Sequence, residues 1–387
     1  MKKILVVSGT RAEFGLLKPL LRKIVNSKIL DLQLVITGTH LSQAYGMTKS
    51  EIIQSGFSIS REVKIFEDSS DSASVNVSKA ISKGVDGFDR VYDELKPDLL
   101  LILGDRYEIF SAAIAAMVSN IPIAHIHGGE STEGVIDEAI RHSITKMSHI
   151  HFVAMEKYRN RVIQLGENPN LVFCVGGLGI DSIGEVQTIE KVELEKKLPV
   201  RFSKRNLLIT FHPVTLEQRT EKEQFSELLS ALSKLEDTSL IFTMPNAESG
   251  SENIVNQILS FCQKHANAFF FKSLGQINYF SCLKVVDAVV GNSSSGIIEV
   301  PSFYKGTINI GNRQRGRERA KSVVDCLPNE NDISKAIELI YSKDFQEKLL
   351  KIENPYGSGE SSSKIIEILE QLSFKGMLKK KFYDLGI

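Results

Sequence analysis

The stretch ILVVSGTRAEFGLLKPLLRKI, residues 4–24, carries the pattern that decides the fold. It opens with the apolar run Ile4–Val7, which has the length and composition of a buried strand. A polar turn at residues 8–10 follows. The next segment has apolar residues at the 3.6-residue period of a helix, namely Leu17, Leu20, Leu21 and Ile24. A buried strand that leads through a short turn into an amphipathic helix predicts the start of a βαβ unit.

Pro19 restricts where this first helix begins. Proline has no backbone N–H to donate, so it is tolerated best in the first turn of a helix, where that group has no partner. We therefore predict that the helix begins near Gly15.

The same alternation continues along the chain. In the first half, further strands are predicted at Leu32–Ile36, Leu99–Leu103, Ile121–Ile126, His151–Ala154 and Leu171–Val175. In the second half, they are predicted at Asn206–Phe211, Leu240–Thr243, Phe269–Phe271, Ala288–Val290 and Thr307–Ile310. Helical segments between apolar strands are typical of parallel sheets that are covered on both faces.

These patterns predict an α/β protein with two Rossmann-like domains that face a central cleft. The first domain would comprise residues 1–176, completed by a C-terminal helix within residues 361–387. The second would comprise residues 200–356, and the charged segment 177–199 would connect the two.

Length and composition exclude several classes of protein. At about 150 residues per domain, a chain of 387 residues suggests two or three domains. The 47 basic and 47 acidic residues cancel, so no overall charge favours a nucleic acid or a membrane as partner. A secretory signal and an 18-residue apolar stretch are both lacking, and the four cysteines have no metal-site spacing. We expect a cytoplasmic protein with reduced core thiols and a solvated basic tail at residues 379–381.

Polar residues that directly follow predicted strands are the candidate functional residues, because open α/β sheets bind ligands beyond the carboxyl ends of their strands. In the first half they are Arg11, Glu13, Asp105, Arg106, His125, His127 and Glu130, with Asp137 on the helix that follows. In the second half they are His212, Asn246, Ser293, Ser294, Gly296, Glu299 and Arg313. Structural ion pairs and capped turns are the alternative interpretation of these groups.

Two features of this set indicate its chemistry. His125 and His127 are two residues apart on a predicted strand and would share a face, but no third ligand has metal-site spacing, so we predict no metal and no other cofactor. Residues 291–296, GNSSSG, lead into a predicted helix, where backbone N–H groups and hydroxyls can bind a phosphate. Glu299 would suit two ribose hydroxyls, and Arg313 a diphosphate.

The motifs together resemble the UDP-N-acetylglucosamine 2-epimerase family, nearly from end to end. They are especially similar to the bacterial hydrolysing enzymes that begin sialic acid synthesis. The stretches that carry this likeness are GDRYEIF at 104–110, HIHGGE at 125–130, IRHSITKMS at 140–148 and GNSSSGIIEVPS at 291–302. The resemblance implies a fold like that of the GT-B glycosyltransferases, with UDP held mainly by the second half. It also implies conversion of UDP-N-acetylglucosamine and water to N-acetylmannosamine and UDP.

The resemblance also implies roles for individual residues. It assigns the diphosphate to Ser293, Ser294, His212 and Arg313, the ribose to Glu299, and a phosphate or substrate contact to Arg11. It makes Asp105, Glu130 and Asp137 the carboxylates of the reaction and places Asn246 in the wall on the nucleotide side. His127 stands where non-hydrolysing members have a carboxylate. Membership further suggests a homodimer or a higher homo-oligomer.

Several alternatives remain open at this point. Related enzymes act on UDP-N,N'-diacetylbacillosamine for legionaminic acid, so the sugar is undecided between that compound and UDP-N-acetylglucosamine. A non-hydrolysing 2-epimerase would return UDP to the sugar, and a glycosyltransferase would need an acceptor. A UDP-sugar sensor would bind without turnover.

Overall fold

The computed structural model describes residues 1–43, 47–66, 76–131, 136–214, 221–245 and 251–386, with only the backbone of Glu185. The chain divides into two compact units. Unit 1 comprises Met1–Ser182 and Gly359–Ile387, and unit 2 comprises Ile183–Ser358. The boundary lies inside the segment 177–199, which contains two short helices, Leu178–Glu185 and Lys191–Lys197.

The described residues of unit 1 form a seven-stranded parallel sheet in the order β3-β2-β1-β4-β5-β6-β7. Its elements are β1 (Lys2–Ser8), α1 (Arg11–Asn26), β2 (Leu30–Thr37), α2 (Lys49–Gln54), β3 (Arg61–Val63), α3 (Val77–Leu95), β4 (Leu99–Leu103), α4 (Tyr107–Val118), β5 (Ile123–Ile126), α5 (Ile136–Met147), β6 (Ile150–Val153), α6 (Glu156–Gln164), β7 (Val172–Cys174) and α7 (Leu178–Glu185), which crosses the boundary. Short 3-10 helices occupy Gly38–Leu41 and Pro169–Leu171.

The described residues of unit 2 form a six-stranded parallel sheet in the order β10-β9-β8-β11-β12-β13. Its elements are α8 (Lys191–Lys197), β8 (Arg205–Thr210), α9 (Glu221–Ser233), β9 (Thr238–Thr243), α10 (Ser251–Lys264), β10 (Ala268–Phe271), α11 (Gly275–Val285), β11 (Ala288–Gly291), α12 (Ser294–Ile298), a 3-10 helix (Val300–Phe303), β12 (Gly306–Ile310), β13 (Val323–Cys326), α13 (Glu330–Tyr341) and α14 (Lys343–Leu349). The last helix, α15 (Ser361–Gln371), belongs to unit 1.

Both faces of each sheet are covered by apolar side chains. In β1, Ile4 and Val6 enter one buried cluster, whereas Leu5 and Val7 enter the cluster on the opposite face. Ile365 of α15 joins the first of these clusters. Burial on both faces explains why the strands read as continuous apolar runs rather than as alternating ones.

Strand order reverses direction between β1 and β4 in unit 1 and between β8 and β11 in unit 2. In parallel sheets such a reversal opens a crevice at the carboxyl ends of the two strands. The edge strands β3 and β13 escaped prediction. Each pairs on one side only, so neither needs a long apolar run.

The first helix begins at Arg11 rather than near Gly15. A capping box sets this start, because the Thr10 hydroxyl accepts from the Glu13 N–H at 3.2 Å and Glu13 Oε2 accepts from the Thr10 N–H at 3.2 Å. Pro19 therefore lies inside the helix and removes one of its backbone hydrogen bonds. The prediction from Pro19 alone was wrong because it overlooked the cap.

Cysteine placement agrees only in part with the expectation of core thiols. All four cysteines are free; Cys282 is buried, Cys262 and Cys326 are partly buried, and Cys174 is exposed on the edge strand β7. Across the described ranges, each helix is too short or too polar to cross a bilayer.

Lys380 shows that the basic triplet at residues 379–381 is not simply solvated. Its ammonium lies 2.6 Å from Glu167 Oε2 and donates to the backbone oxygens of Lys146 and Ser148. Glu167 is 1% exposed and also binds Lys146 Nζ at 2.6 Å and His151 Nε2 at 2.9 Å. A buried carboxylate needs such partners, and this need anchors the end of the chain to unit 1.

Replacing Glu167 by glutamine is expected to reduce the acid sensitivity of folding. Burial alone would raise the pKa of Glu167, but hydrogen bonds from His151, Lys146 and Lys380 lower it from 4.5 to about 2. Its contribution to stability is therefore complete above the unfolded-state pKa of about 4.5 and is lost as the pH falls toward about 2. Urea unfolding across this window should show a shallower loss of unfolding free energy in Glu167→Gln than in wild type. Parallel losses would contradict this assignment.

Candidate functional site

The candidate residues of unit 1 lie beyond the carboxyl ends of adjacent strands. Asp105 and Arg106 occupy the connection from β4 to α4, whereas His127 and Glu130 follow β5. Asp137 lies in the first turn of α5. Because β4 pairs with β5, the sheet brings these connections to the same edge.

Arg141 on α5 holds this group together. Its side chain is 4% exposed, forms ion pairs with the Asp105 carboxylate and with Glu138 Oε2, and donates to the backbone oxygen of Glu130 at 3.0 Å. One buried guanidinium therefore joins the segments after β4 and β5 to α5. Arg141 was not among the residues predicted for the site, although it lies within the motif at 140–148.

Asp105 and Asp137 have different electrostatic environments. Burial and the nearby charge of Asp105 raise the pKa of Asp137, and the opposing charges of Arg106 and Arg141 reduce this effect. Asp105 itself is paired with the buried Arg141. Two neighbouring carboxyl groups with different environments can divide the tasks of base and acid between them.

His127 does not share a strand face with His125, contrary to our prediction. β5 ends at Ile126, and His127 has a left-handed backbone with φ of 66°. Its Nε2 accepts from the Leu178 N–H at 3.3 Å, and its Nδ1 lies 3.2 Å from Glu130 Oε1. Because Nε2 accepts, the proton of the ring lies on Nδ1, the nitrogen that faces the Glu130 carboxylate.

His125, which we predicted to contact substrate, is 0% exposed. Its Nε2 lies 2.8 Å from the Gly104 carbonyl oxygen and its Nδ1 lies 3.2 Å from Thr145 Oγ1. Burial lowers the pKa of His125 to about 3, so the ring is neutral. A ring with both nitrogens engaged inside the protein has no atom for a substrate, and the predicted role is corrected on that ground.

Glu13 is likewise engaged inside the protein. Its carboxylate accepts from the Gly9 N–H at 2.7 Å and completes the cap of α1. Burial and the neighbouring Glu108 raise the pKa of Glu13 to about 8. Glu13 thus caps α1, and its predicted contact with substrate stays a prediction.

The two arginines predicted as ligands differ in their surroundings. The Arg11 side chain pairs with Glu51 at 3.0 Å. It is half-exposed, so its guanidinium remains accessible. Arg106 donates from Nε and Nη2 to Glu108 at 3.2 and 3.0 Å. Glu108 is 0% exposed and was not predicted as a site residue, although it lies within the motif at 104–110.

In unit 2, Asn292 joins the ends of β8 and β11. Its side-chain oxygen accepts from the His212 N–H at 2.7 Å, and its amide nitrogen donates to the His212 carbonyl at 2.9 Å. Its backbone oxygen accepts from Arg313 Nη1 at 3.3 Å and from Gln314 Nε2 at 2.9 Å. Asn292 and Gln314 were missed as organising residues, although both fall inside motifs that the sequence displays.

The ring of His212 lies in this group as a neutral imidazole. Burial, reinforced by the charge of Arg313, lowers the pKa of His212 to about 3. The His212 ring is therefore uncharged at neutral pH, whereas the Arg313 guanidinium is positively charged.

Three residues of the loop after β11 were predicted to bind substrate. Two of them are half-buried and the third is buried. Ser293 is the N-cap of α12, and Ser294 follows it at a half-buried position. A Cβ at Gly296 would lie 2.7 Å from Thr307 Cγ2, so this glycine allows α12 to approach β12. Gly296 thus has a packing role, and its predicted contact with substrate stays a prediction.

Glu299 follows α12 and is half-buried. Burial raises the pKa of Glu299, and a hydrogen bond from Ser295 opposes this shift. Ser295 Oγ lies 2.5 Å from the Tyr279 hydroxyl, so a chain of polar groups orients the carboxylate. The remaining candidate, Asn246, lies outside the described residues.

Taken together, the fold and the site define an α/β protein with two Rossmann-type parallel sheets and polar residues at both strand-order reversals. The family described as UDP-N-acetylglucosamine 2-epimerase matches residues 22–370. The chain belongs to the UDP-N-acetylglucosamine 2-epimerase family.

Individual relatives agree with this membership. The chain is 41% identical over 387 residues to the GDP/UDP-N,N'-diacetylbacillosamine 2-epimerase (hydrolyzing) of Campylobacter jejuni, covering 99% of each protein. It is 39% identical to the polysialic acid biosynthesis protein P7 of Escherichia coli, covering 100% of this chain and 98% of that protein. A crystal structure of a putative UDP-N-acetylglucosamine 2-epimerase from Listeria monocytogenes matches with a TM-score of 0.81 at 21% identity, covering 100% of both chains. The predicted α/β class of GT-B-like fold is confirmed.

Proposed function

We propose that this protein is a hydrolysing 2-epimerase that converts UDP-N-acetylglucosamine and water to N-acetylmannosamine and UDP. The observation that carries the proposal is the pair of carboxyl groups at the end of β4 and the start of α5, where Asp105 is bound by buried Arg141 and Asp137 has a raised pKa. Membership of the family supports the substrate class.

The reaction needs such a pair because the hydrogen on C2 of the sugar is not next to a carbonyl group. It becomes acidic enough to remove only as the bond from C1 to the UDP oxygen breaks and C1 gains positive charge. Proton removal and loss of UDP then give a 2-acetamidoglycal. Addition of water returns a hydroxyl to C1 and a proton to the opposite face of C2, which inverts that carbon and releases free sugar.

Residues of unit 1 are assigned to the sugar. Asp105, as a carboxylate, is the base for the C2 proton, and Asp137, which keeps its proton to higher pH, is the acid. Glu130 Oε1 lies 3.2 Å from His127 Nδ1, and this pair supports the second proton transfer.

Residues of unit 2 are assigned to UDP. The leaving diphosphate needs neutralisation more than protonation, because the second pKa of a phosphate group is about 6. Arg313 provides charge, while Ser293, Ser294 and His212 provide hydrogen bonds. Glu299 is the acceptor for the ribose hydroxyls.

A second sugar is favoured by a specific observation. The Campylobacter jejuni relative at 41% identity is described as acting on diacetylbacillosamine linked to UDP or GDP. That sugar has the same acetamido group at C2, so the same elimination and hydration apply. UDP-N,N'-diacetylbacillosamine is therefore the second candidate substrate.

Proton NMR in D₂O tests the proposal. Purified protein is incubated with each UDP-sugar separately, without metal or acceptor, and the anomeric and C2 signals are followed. We expect UDP together with a free sugar that is inverted and deuterated at C2, and the faster substrate identifies the physiological sugar. A UDP-linked product inverted at C2 would indicate a non-hydrolysing epimerase. Binding of UDP without conversion of either sugar would overturn the proposed function.

Replacing Glu299 by alanine is expected to weaken UDP binding more than it slows turnover of bound substrate. Loss of hydrogen bonds to a charged acceptor costs about 1.5–3 kcal/mol, which corresponds to roughly 10- to 100-fold in affinity. Isothermal titration calorimetry with UDP measures this effect. Glu338→Ala, at an exposed position on α13 of the same unit, is the matched control. Unchanged UDP affinity in Glu299→Ala would exclude its ribose role.

A further inference from the structure

We propose that His125 is a positioning residue whose neutral imidazole, protonated on Nε2, donates to the Gly104 carbonyl and thereby fixes the turn that carries Asp105. The importance of that turn rests on the proposed function, in which Asp105 takes the C2 proton. His125 itself touches neither substrate nor the reacting atoms.

The hydrogen bonds of the ring select a single tautomer. A carbonyl oxygen can only accept, so the 2.8 Å contact to Gly104 places the proton on Nε2. Because the ring is neutral, Nδ1 then carries a lone pair and faces the Thr145 hydroxyl at 3.2 Å, whose single proton is shared with the Arg141 carbonyl oxygen at 3.0 Å. The opposite tautomer would set two lone pairs against each other at Gly104. The Gly104 carbonyl therefore determines which nitrogen of His125 donates.

Gly104 is held to β5 through both of its backbone groups. Its N–H donates to the Ile126 carbonyl at 3.0 Å, and its carbonyl accepts from His125 Nε2. Its φ of 83° turns the chain sharply at the end of β4, directly before Asp105. A turn fixed at both groups has little freedom to rotate the residue that follows it.

Helix α5 reaches Asp105 by two routes. Arg141 binds the Asp105 carboxylate directly, whereas Thr145, one helical turn further on, acts through His125 and Gly104. The Thr145 hydroxyl also lies 3.0 Å from the Arg141 carbonyl oxygen. The backbone of Gly104 and the side chain of Asp105, which belong to the same turn, are thus both held by α5.

The loop after β5 covers the hydrogen bonds of His125 and Thr145. A Cβ at Gly128 would lie 3.0 Å from His125 Nδ1 and 3.1 Å from Thr145 Oγ1, so a side chain at this position would crowd the pair. Thr145 is 0% exposed, like His125. The hydrogen bonds are therefore shielded from water, which strengthens them and makes their loss costly.

The test compares substitutions that keep or remove the donor. A glutamine amide can replace the Nε2–H donor, whereas leucine fills the space without one. We expect His125→Leu to lower kcat by roughly 10²-fold, the effect of a small misplacement of a reacting group, with UDP affinity unchanged. His125→Gln should recover most of kcat. Wild-type kcat in His125→Leu, or equal losses in both variants, would overturn the proposal.

Thr145 provides the second pair of variants, which holds if His125→Leu does not fold. Thr145→Val keeps the shape but removes the hydroxyl, and Thr145→Ser retains the hydroxyl. We expect Thr145→Val to lower kcat without changing UDP affinity and Thr145→Ser to stay near the wild-type value. Equal activity of the two variants would contradict the proposed chain of contacts.

Nitrogen NMR of imidazole-labelled wild-type protein separates this inference from the proposed function, because it needs no turnover. We expect a His125 signal of the Nε2–H tautomer that is constant from about pH 5 to about pH 8, where an ordinary histidine titrates. An Nδ1–H signal or titration in that range would overturn the inference even in an active enzyme. Absence of turnover in wild type would instead refute the proposed function.

Discussion

Replacing Asp105 by asparagine is expected to lower kcat by roughly 10²–10⁴-fold, the usual contribution of a general base, while the fold is retained. Asparagine has the size of aspartate, and its oxygen can still accept from the Arg141 guanidinium that binds Asp105. It cannot take a proton from C2. Steady-state release of UDP from both UDP-sugars measures the loss.

Exchange of the C2 hydrogen with solvent adds a sharper measurement, because it reports proton transfer directly. Deuterium incorporation at C2 should fall together with turnover in Asp105→Asn. Asp86→Asn is the control, since Asp86 on α3 is 65% exposed and pairs with Arg90 at the surface. If Asp105→Asn turned over at the wild-type rate, a different group would be the base.

Replacing Gly291 by alanine is expected to destabilise unit 2 by about 3 kcal/mol or more, because backbone strain and overpacking add. Gly291 has a φ of 138°, which L-residues with a side chain rarely adopt. A Cβ there would lie 1.9 Å from the Thr210 carbonyl oxygen, so β8 and β11 would be forced apart. Thermal unfolding and UDP titration together measure the effect.

UDP binding should weaken in the same variant, because Gly291 directly precedes Asn292 and the serines assigned to the diphosphate. Gly15→Ala is the matched control. A Cβ at Gly15 has no heavy atom within 4 Å, and alanine favours a helix by roughly 1 kcal/mol over glycine. That variant should unfold at a slightly higher temperature than wild type. A Gly291→Ala protein as stable as wild type would contradict the close approach of the two strands.

Some features of the site could be predicted from the local sequence. Polar residues after apolar runs marked Asp105, Glu130, His212 and Ser293 because the backbone period identifies where a strand ends. The cap at Thr10 and Glu13 is equally local, since the two residues have the spacing of a capping box. Its omission led to the wrong start of α1 and left the capping role of Glu13 unrecognised.

Other features depend on partners far away along the chain. The spacing of His125 and His127 suggested a shared face, but pairing with β4 and β6 ends β5 at Ile126. Arg141 has an acidic neighbour one turn away on its own helix, yet it binds Asp105 on another element. Lys380 resembled a solvated tail residue until Glu167 was found beside it.

Apolar periodicity and contiguous motifs are local properties, so the sequence is enough to predict the α/β class, the family and the strands of both sheets except β3 and β13. Which of the polar side chains bind partners inside the protein depends on the tertiary structure. His125, Glu13 and Gly296 stand in motifs beside Asp105 and Ser293, yet they serve the protein interior. The physical reason is that a buried polar group must find its partner wherever the packed strands and helices bring one, and sequence distance does not limit that choice.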